Sequence, residues 1–223
     1  MTRGITIAGG GLAGLSLGIG LLRRGIPVEL HEAGSYPRHR VCGEFICGVS
    51  PATLESLGIH ESLAGSRRLS SAAWFRRGER LLEAPLERPA WGISRYELDN
   101  RLRRQFQKAG GDLRERSRLK NESREGLVWS AGRRPERGNW LGLKCHVRGL
   151  ALDHDLEMHL GRGGYAGLSR IEDGRVNVCG LFRKRAGLEG RGSELLLAYL
   201  RAGGLEILAG KIRGCIRDED SFL

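Results

Sequence analysis

The chain has 223 residues, of which 40% are hydrophobic and 28% charged, and this balance indicates a globular protein with its own core rather than a disordered one. Its formal net charge is +11, but the basic residues form scattered pairs without interleaved aromatic side chains, which makes a nucleic-acid-binding module the less favoured alternative. The five cysteines include no CxxC pair, which argues against a disulfide framework or a zinc site and favours reduced thiols in a cytoplasmic protein.

The first 32 residues predict a β-α-β unit, in which a helix connects two parallel strands. A strand is expected at Gly4–Ala8, a glycine turn at Gly9–Gly11, a helix at Leu12–Arg24 and a second strand over residues 27–32. Gly25 follows the helix where a left-handed C-cap is expected, since glycine adopts positive φ without a Cβ clash. The apolar run in this helix is too short to span a bilayer.

The middle of the chain predicts a loop followed by mixed secondary structure. Residues 34–48 are irregular, and Ser50 with Pro51 is a good helix start because serine caps and proline suits the first turn. Short strands are expected at Ala72–Arg76 and Arg80–Ala84. The segment "SRYELDNRLRRQFQKAGG" predicts a helix, since its leucine and phenylalanine side chains repeat every four residues.

The second half predicts an antiparallel sheet followed by helices. Four strand-like runs lie between Asn139 and Phe182, and Asp173-Gly174 between two of them is a strong hairpin signal. The tail at Ser193–Leu208 predicts a helix that is interrupted at a pair of glycines. The predicted fold class is therefore α/β: a Rossmann-like part followed by an antiparallel β-sheet.

The glycine turn matches the pattern Gly9-x-Gly11-x-x-Gly14 of a dinucleotide-binding site. The first glycine would allow the sharp turn, the second would let the backbone approach a pyrophosphate, and the third would let helix and strand pack closely. The N-terminus of the helix offers N–H groups and a positive dipole end to the phosphates. The alternative is a tight turn with no ligand.

Glu32 ends the second strand, 18 residues after Gly14. A carboxylate there can accept hydrogen bonds from ribose hydroxyls and would repel a 2′-phosphate. The pattern therefore favours FAD or NAD over NADP, without separating the first two.

A wider pattern resembles the FAD fingerprint of the flavoprotein monooxygenases. The matching positions are Gly9, Gly11, Gly14, Gly18, Leu21, Gly25, Val28 and Glu32. Gly18 departs from the family, in which alanine is usual. The segment "RVCGEFI" at Arg40–Ile46 resembles the geranylgeranyl reductase and flavin-dependent halogenase branch, and "SRYELDNRL" resembles a helix start whose arginine, here Arg95, approaches FAD. "SAGRRP", which begins at Ser130, looks like a variant of the family's A-x-G-R turn.

The resemblance implies an FAD-binding Rossmann-like domain with an inserted antiparallel substrate domain. The implied limits are 1–135 for the FAD-binding part, 136–190 for the substrate strands and 191–223 for a helical return. The cofactor-binding residues that it implies are Gly9, Gly11, Leu12, Ala13, Gly14, Glu32, Arg40, Cys42 and Arg95. The implied activity is FAD-dependent oxidoreduction, by reduction or monooxygenation, of an isoprenoid or aromatic small molecule, with NAD(P)H as a candidate reductant.

One departure limits this expectation. The family carries a second FAD-binding loop with a Gly-Asp motif after the substrate domain, and no such loop is recognisable here. We therefore also expect, as an alternative, a truncated or non-catalytic flavoprotein fragment that binds FAD weakly or not at all. A peripheral contact with a membrane or a carrier protein stays open as a further partner.

The remaining polar residues give weaker signals. By resemblance, Cys42 and Glu44 lie in a loop near the flavin ring, but a packed thiol and a loop carboxylate are an equal alternative. Arg40 suits a pyrophosphate or an ordinary surface position. No general acid or base is identified, because no histidine has a marked carboxylate spacing. The acidic residues at 153, 155 and 157 favour a solvated strand face over a metal site, so no metal is expected.

Overall fold

The computed structural model describes residues 4–133 and 138–223. The predicted domain limit at 135/136 and the end of the "SAGRRP" turn lie outside these residues. The chain divides into two compact units: unit 1 comprises the described residues within 1–38, 49–64 and 95–136, and unit 2 comprises those within 39–48, 65–94 and 137–223. Each unit is therefore assembled from segments that are separated in the sequence.

The helices and strands follow one another in chain order. They are β1 (Ile5–Ala8), α1 (Leu12–Leu22), β2 (Val28–His31), β3 (Phe45–Ile46), α2 (Pro51–Leu57), β4 (Arg67–Arg76), β5 (Glu79–Gly92), α3 (Arg95–Lys108), β6 (Asp112–Arg114), β7 (Leu127–Trp129), β8 (Trp140–Arg148), β9 (Leu156–Gly161), β10 (Gly164–Arg170), β11 (Arg175–Arg183), α4 (Ser193–Ala202), α5 (Glu206–Arg213) and β12 (Ile216–Asp218).

Unit 1 is built on a parallel four-stranded sheet in the order β6-β2-β1-β7. Strand β1 pairs with β2 from Ile5 opposite Val28 to Ala8 opposite His31. The predicted β-α-β unit is thus confirmed, with Gly25 at φ 74° after α1. Helix α2 begins as expected, because the Ser50 hydroxyl accepts a 3.1 Å hydrogen bond from the Thr53 backbone N–H.

Helices α1 and α3 pack together through a glycine. A Cβ atom at Gly18 would lie 2.6 Å from the ring of Phe106, which is fully buried in α3. This contact explains why glycine replaces the alanine that is usual at this position of the fingerprint, since the ring fills the space that a methyl group would need.

Unit 2 is built on an eight-stranded sheet in the order β12-β8-β11-β10-β9-β4-β5-β3. The strands β8 to β11 confirm the four predicted runs, and Asp173 and Gly174 take positive φ in the turn between β10 and β11. Strands β4 and β5 are longer than expected, and β4 pairs with β9 in parallel, the one parallel pair in this sheet among the described residues. The predicted α/β class, with a parallel sheet and a largely antiparallel one, is confirmed.

One face of the eight-stranded sheet carries the core of unit 2. Leu143, Cys145 and Val147 of β8 are buried with the apolar side chains of α4 and α5. Because successive strand residues point to opposite faces, Lys144 and His146 lie on the other face. Both are fully buried, so this second face is covered as well.

Glu157 on β9 is buried, although the sequence predicts an exposed acidic face there. Glu157 is 7% exposed, and its carboxylate accepts hydrogen bonds from the backbone N–H groups of Asp153 and His154. The prediction of a solvated strand face is therefore wrong at this residue.

In the described part of the chain, no helix has both the length and the apolar character that crossing a bilayer requires.

Candidate functional site

The first and third glycines of the turn are required by the fold of unit 1. Gly9 has φ 109°, and a Cβ on it would lie 2.5 Å from the carbonyl oxygen of Ser130. A Cβ on Gly14 would collide with the Gly9 carbonyl oxygen. The Ser130 hydroxyl donates to the carbonyls of Gly9 at 2.8 Å and Ala8 at 3.1 Å, which fixes the turn against the segment that follows β7. These residues hold the turn whether or not a ligand binds.

The second glycine is not required in this way. Gly11 has an ordinary φ of −84°, and the nearest atom to a methyl group at this position would be Nη2 of Arg95 at 3.5 Å, an ordinary contact distance. Gly11 caps α1 with no side-chain hydrogen bond, and Ala13 in the first turn is exposed. The missing Cβ therefore leaves an open cradle at a helix N-terminus, which fits a pyrophosphate.

Glu32 lies beside this turn, as the motif spacing predicts. Its Oε2 accepts a 2.9 Å hydrogen bond from the backbone N–H of Gly10. Its Oε1 accepts from the Gly34 N–H at 2.8 Å and from Nη2 of Arg38 at 2.6 Å. The carboxylate is thus in position for a ribose, but both of its oxygens already have partners in the chain, and the residue is 4% exposed.

Tyr36 lies over the middle of the glycine turn. Its hydroxyl donates a hydrogen bond to the carbonyl of Gly10, and its backbone N–H donates to Glu115 at 3.1 Å. Tyr36 and Arg38 thus contact Gly10 and Glu32 directly. No sequence pattern indicates this arrangement, because both residues fall in a segment without periodicity.

Arg95 is the first residue of α3 and lies near Gly11. Its Nε and Nη2 atoms each donate a 2.8 Å hydrogen bond to Asp99, whose side chain is fully buried. This paired geometry holds the guanidinium in one orientation beside the turn. Unit 1 therefore brings together seven of the nine predicted site residues: Gly9, Gly11, Leu12, Ala13, Gly14, Glu32 and Arg95.

The other two predicted residues belong to unit 2. Cys42 contributes its backbone carbonyl, which accepts a 2.9 Å hydrogen bond from Nδ2 of Asn177 on β11, while its Sγ accepts from the Glu44 N–H at 3.4 Å. The Gly43 carbonyl accepts from the Ser169 hydroxyl at 2.6 Å. Arg40 is half-buried. The hydrogen bonds to Asn177 and Ser169 tie residues 39–48 to the polar face of the sheet.

A fully buried ionic cluster lies on that polar face. Glu44 Oε1 accepts from Nζ of Lys144 at 2.7 Å, and Oε2 lies 2.6 Å from Nε2 of His146, with all three side chains inaccessible to solvent. Lys144 Nζ also lies 3.2 Å from Nδ1 of His39. The cluster joins residues that are about 100 positions apart in the chain, so no local spacing could have revealed it.

The charges in the cluster shift its pKa values. Burial raises the pKa of Glu44, but the hydrogen bond from His146 and the charge of Lys144 outweigh it and hold the pKa below its usual range. Burial, followed by the charge of Lys144, lowers the pKa of His39 to about 4. His39, Glu44 and His146 are close enough to share a metal ion, but the Lys144 ammonium already supplies the positive charge there.

Comparison with known proteins identifies the fold. No protein-family model and no curated protein matches this chain. Its structure is similar to that of a flavin-dependent brominase, with a TM-score of 0.76 and 16% identity over 98% of this chain and 65% of that one. For the myxobacterial chondrochloren halogenase the TM-score is 0.72, with 18% identity over 100% and 63%.

A monooxygenase has a similar fold as well. For p-nitrophenol 4-monooxygenase from Pseudomonas putida the TM-score is 0.70, with 12% identity over 84% of this chain and 59% of that one. The chain thus has a fold found in flavin-dependent halogenases and in a monooxygenase. It spans about 65% of the length of the first of these proteins.

Proposed function

We propose that this chain carries the FAD-binding site of an oxidoreductase of the flavoprotein monooxygenase superfamily. The observation that carries the proposal is the open cradle at Gly11, next to Glu32 at the end of β2. Gly9 and Gly14 are explained by the fold alone, whereas Gly11 is a position where a methyl group would fit the protein and obstruct a ligand. The fold shared with flavin-dependent enzymes supports FAD as that ligand.

Each residue of the site has a defined role in this proposal. The N–H groups of Gly11, Leu12 and Ala13 would hold the pyrophosphate at the positive end of α1. Glu32 would accept hydrogen bonds from the adenosine ribose once Arg38 or Tyr36 moves aside. FAD supplies the redox chemistry when bound, and the protein binds and orients it.

The remaining cofactor contacts and the reaction partner are part of the same proposal. Arg95 would lie beside the pyrophosphate, with NAD(P)H as the reductant. An aromatic small molecule is the favoured substrate class, because p-nitrophenol is the aromatic substrate named for one protein of similar fold. The two halogenases favour the halogenase side of the branch over a geranylgeranyl reductase.

A second candidate is a truncated or non-catalytic flavoprotein fragment that folds but binds FAD weakly or not at all. The observation that favours it is the engagement of both Glu32 oxygens by Gly10, Gly34 and Arg38, since a ribose has to compete with these internal partners. The two candidates differ in the affinity of the free chain for FAD.

Reconstitution with FAD separates them. The purified chain is incubated with excess FAD, desalted, and its absorbance spectrum is recorded with the protein concentration. The first candidate predicts a yellow protein with about one flavin per chain that survives desalting. A colourless protein that binds FAD only in equilibrium titration, or does not bind it at all, rejects the first candidate and supports the second.

A further inference from the structure

Two buried polar atoms on the covered face of the eight-stranded sheet lack hydrogen-bond partners among the described residues. They are Nδ1 of His146 on β8 and Oδ1 of Asn177 on β11. Both residues are 0% exposed. Because a buried polar atom without a partner costs about 1–3 kcal/mol, such atoms call for a bound group.

The two side chains are neighbours. His146 and Asn177 are directly paired residues of the antiparallel strands β8 and β11. Both point toward residues 39–48, since His146 contacts Glu44 and Asn177 donates to the carbonyl of Cys42. Directly paired residues on one face have Cβ atoms about 5 Å apart, so one small group can reach both side chains.

The hydrogen-bonding roles of both atoms follow from their surroundings. Asn177 must turn its NH₂ group toward the Cys42 carbonyl, which leaves Oδ1 as an acceptor. Glu44 is held ionised by the cluster, so Nε2 of His146 must donate to it.

The charge balance of the cluster favours a neutral imidazole at His146. The charges of Glu44 and Lys144 cancel, and a neutral His146 leaves the buried cluster without net charge, whereas an imidazolium would leave it with a buried positive charge. Nδ1 of the neutral ring is then an acceptor as well. Two acceptors cannot bond to each other, so the missing group is a donor of two hydrogens.

We propose that an ordered water molecule occupies this position, and that it donates one hydrogen to Nδ1 of His146 and the other to Oδ1 of Asn177. Glu44 orients the imidazole by accepting from Nε2, which leaves Nδ1 directed at the bound water. The inference is independent of FAD binding, since all of these atoms lie in unit 2.

Nuclear magnetic resonance of the ¹⁵N-labelled chain tests the proposal. Long-range ¹H–¹⁵N correlation at neutral pH should show His146 with Nε2 protonated and Nδ1 unprotonated. The proton on Cε1, which lies between the two nitrogens, should show a nuclear Overhauser effect to a long-lived water. A protonated Nδ1, or an unprotonated Nδ1 with no effect to water, would overturn the proposal, and both outcomes are read from the wild-type chain.

Two variants then locate the water. Asn177→Leu removes one of its acceptors and should abolish the effect between water and His146. Ser71→Ala is the control, because Ser71 lies on β4, which is separated from β11 by β9 and β10, and its hydroxyl bonds Asp155, so the substitution should preserve the nuclear Overhauser effect. Retention of the effect in Asn177→Leu, or its loss in Ser71→Ala, would contradict the assigned position. Where Asn177→Leu does not fold, the wild-type measurement decides.

Discussion

Arg38 donates a 2.6 Å hydrogen bond to the carboxylate of Glu32, the residue that ends β2 beside the glycine turn. The same loop places the Tyr36 hydroxyl on the carbonyl of Gly10. Both contacts lie at the candidate ribose position. Under the proposed function, we expect the loop at residues 34–38 to compete with a nucleotide for this position and so to lower the affinity for FAD.

Removal of one competing contact should strengthen FAD binding. Tyr36→Phe deletes the hydroxyl on Gly10, and because such a hydrogen bond contributes about 1 kcal/mol, we expect the Kd for FAD to fall about fivefold. Fluorescence quenching of FAD during titration measures the change. Tyr165→Phe is the control, because Tyr165 lies in unit 2 and is 39% exposed, and the loss of its hydroxyl should leave the Kd for FAD unchanged. A higher Kd in Tyr36→Phe alone would show that the Tyr36 hydroxyl assists FAD binding instead.

The glycine at position 18 should not tolerate the alanine that is usual in the fingerprint. Gly18→Ala places a methyl group 2.6 Å from the ring of Phe106, and overpacking of this kind costs about 1–3 kcal/mol. Gly20→Ala on the same helix has its nearest contact at 3.5 Å, and should raise the free energy of unfolding by up to about 1 kcal/mol because alanine favours helices. Urea unfolding measures both. Equal effects of the two substitutions would rule out the proposed packing.

The buried cluster should depend strongly on Lys144. Lys144→Met leaves the carboxylate of Glu44 buried without its ammonium partner, so we expect a loss of about 3–5 kcal/mol in the free energy of unfolding. The double variant Lys144→Met with Glu44→Gln should recover part of this loss, since the unpaired charge is gone. Lys211→Met on α5 is the control because Lys211 is exposed. A loss below about 1 kcal/mol in Lys144→Met would contradict the pairing.

Stability should fall as the pH is lowered from about 6.5 to about 4. The pKa of His39 is lowered from 6.5 to about 4 in the folded chain, so its contribution is complete above 6.5 and is lost as the pH approaches 4. The lowered pKa of Glu44 has the same sign and extends the loss to lower pH. Urea unfolding at a series of pH values measures the slope.

Two histidine variants test whether His39 causes this pH dependence of the unfolding free energy. His39→Gln should flatten the pH dependence of the unfolding free energy between 6.5 and about 4, the range over which the pKa of His39 is shifted. His60→Gln, at an exposed position, should leave the slope unchanged. If both variants keep the wild-type slope, another group causes it.

The elements of the fold could be predicted because their signals are local. The turn at Gly9–Gly11, the cap at Gly25 and the hairpin at Asp173-Gly174 each depend on residues within a few positions of one another. The bond between Glu44 and His146 spans 102 positions, and the contact of Arg38 with Glu32 depends on an irregular loop, so neither has a periodic signature. The sequence does contain one indication of the cluster, because Lys144 and His146 alternate with apolar residues in a predicted strand and therefore share one face of it.

Calorimetric titration of FAD into wild type, Gly11→Ala and Gly20→Ala tests most directly whether the glycine turn of unit 1 binds FAD. Gly11→Ala fills the cradle without a clash, so we predict at least a tenfold increase in Kd, about 1.4 kcal/mol. The unfolding free energy should fall by no more than about 1 kcal/mol, because glycine is a better N-cap residue than alanine. Gly20→Ala should bind FAD as the wild-type chain does. Unchanged affinity in Gly11→Ala, or no FAD binding by the wild-type chain, would contradict the account.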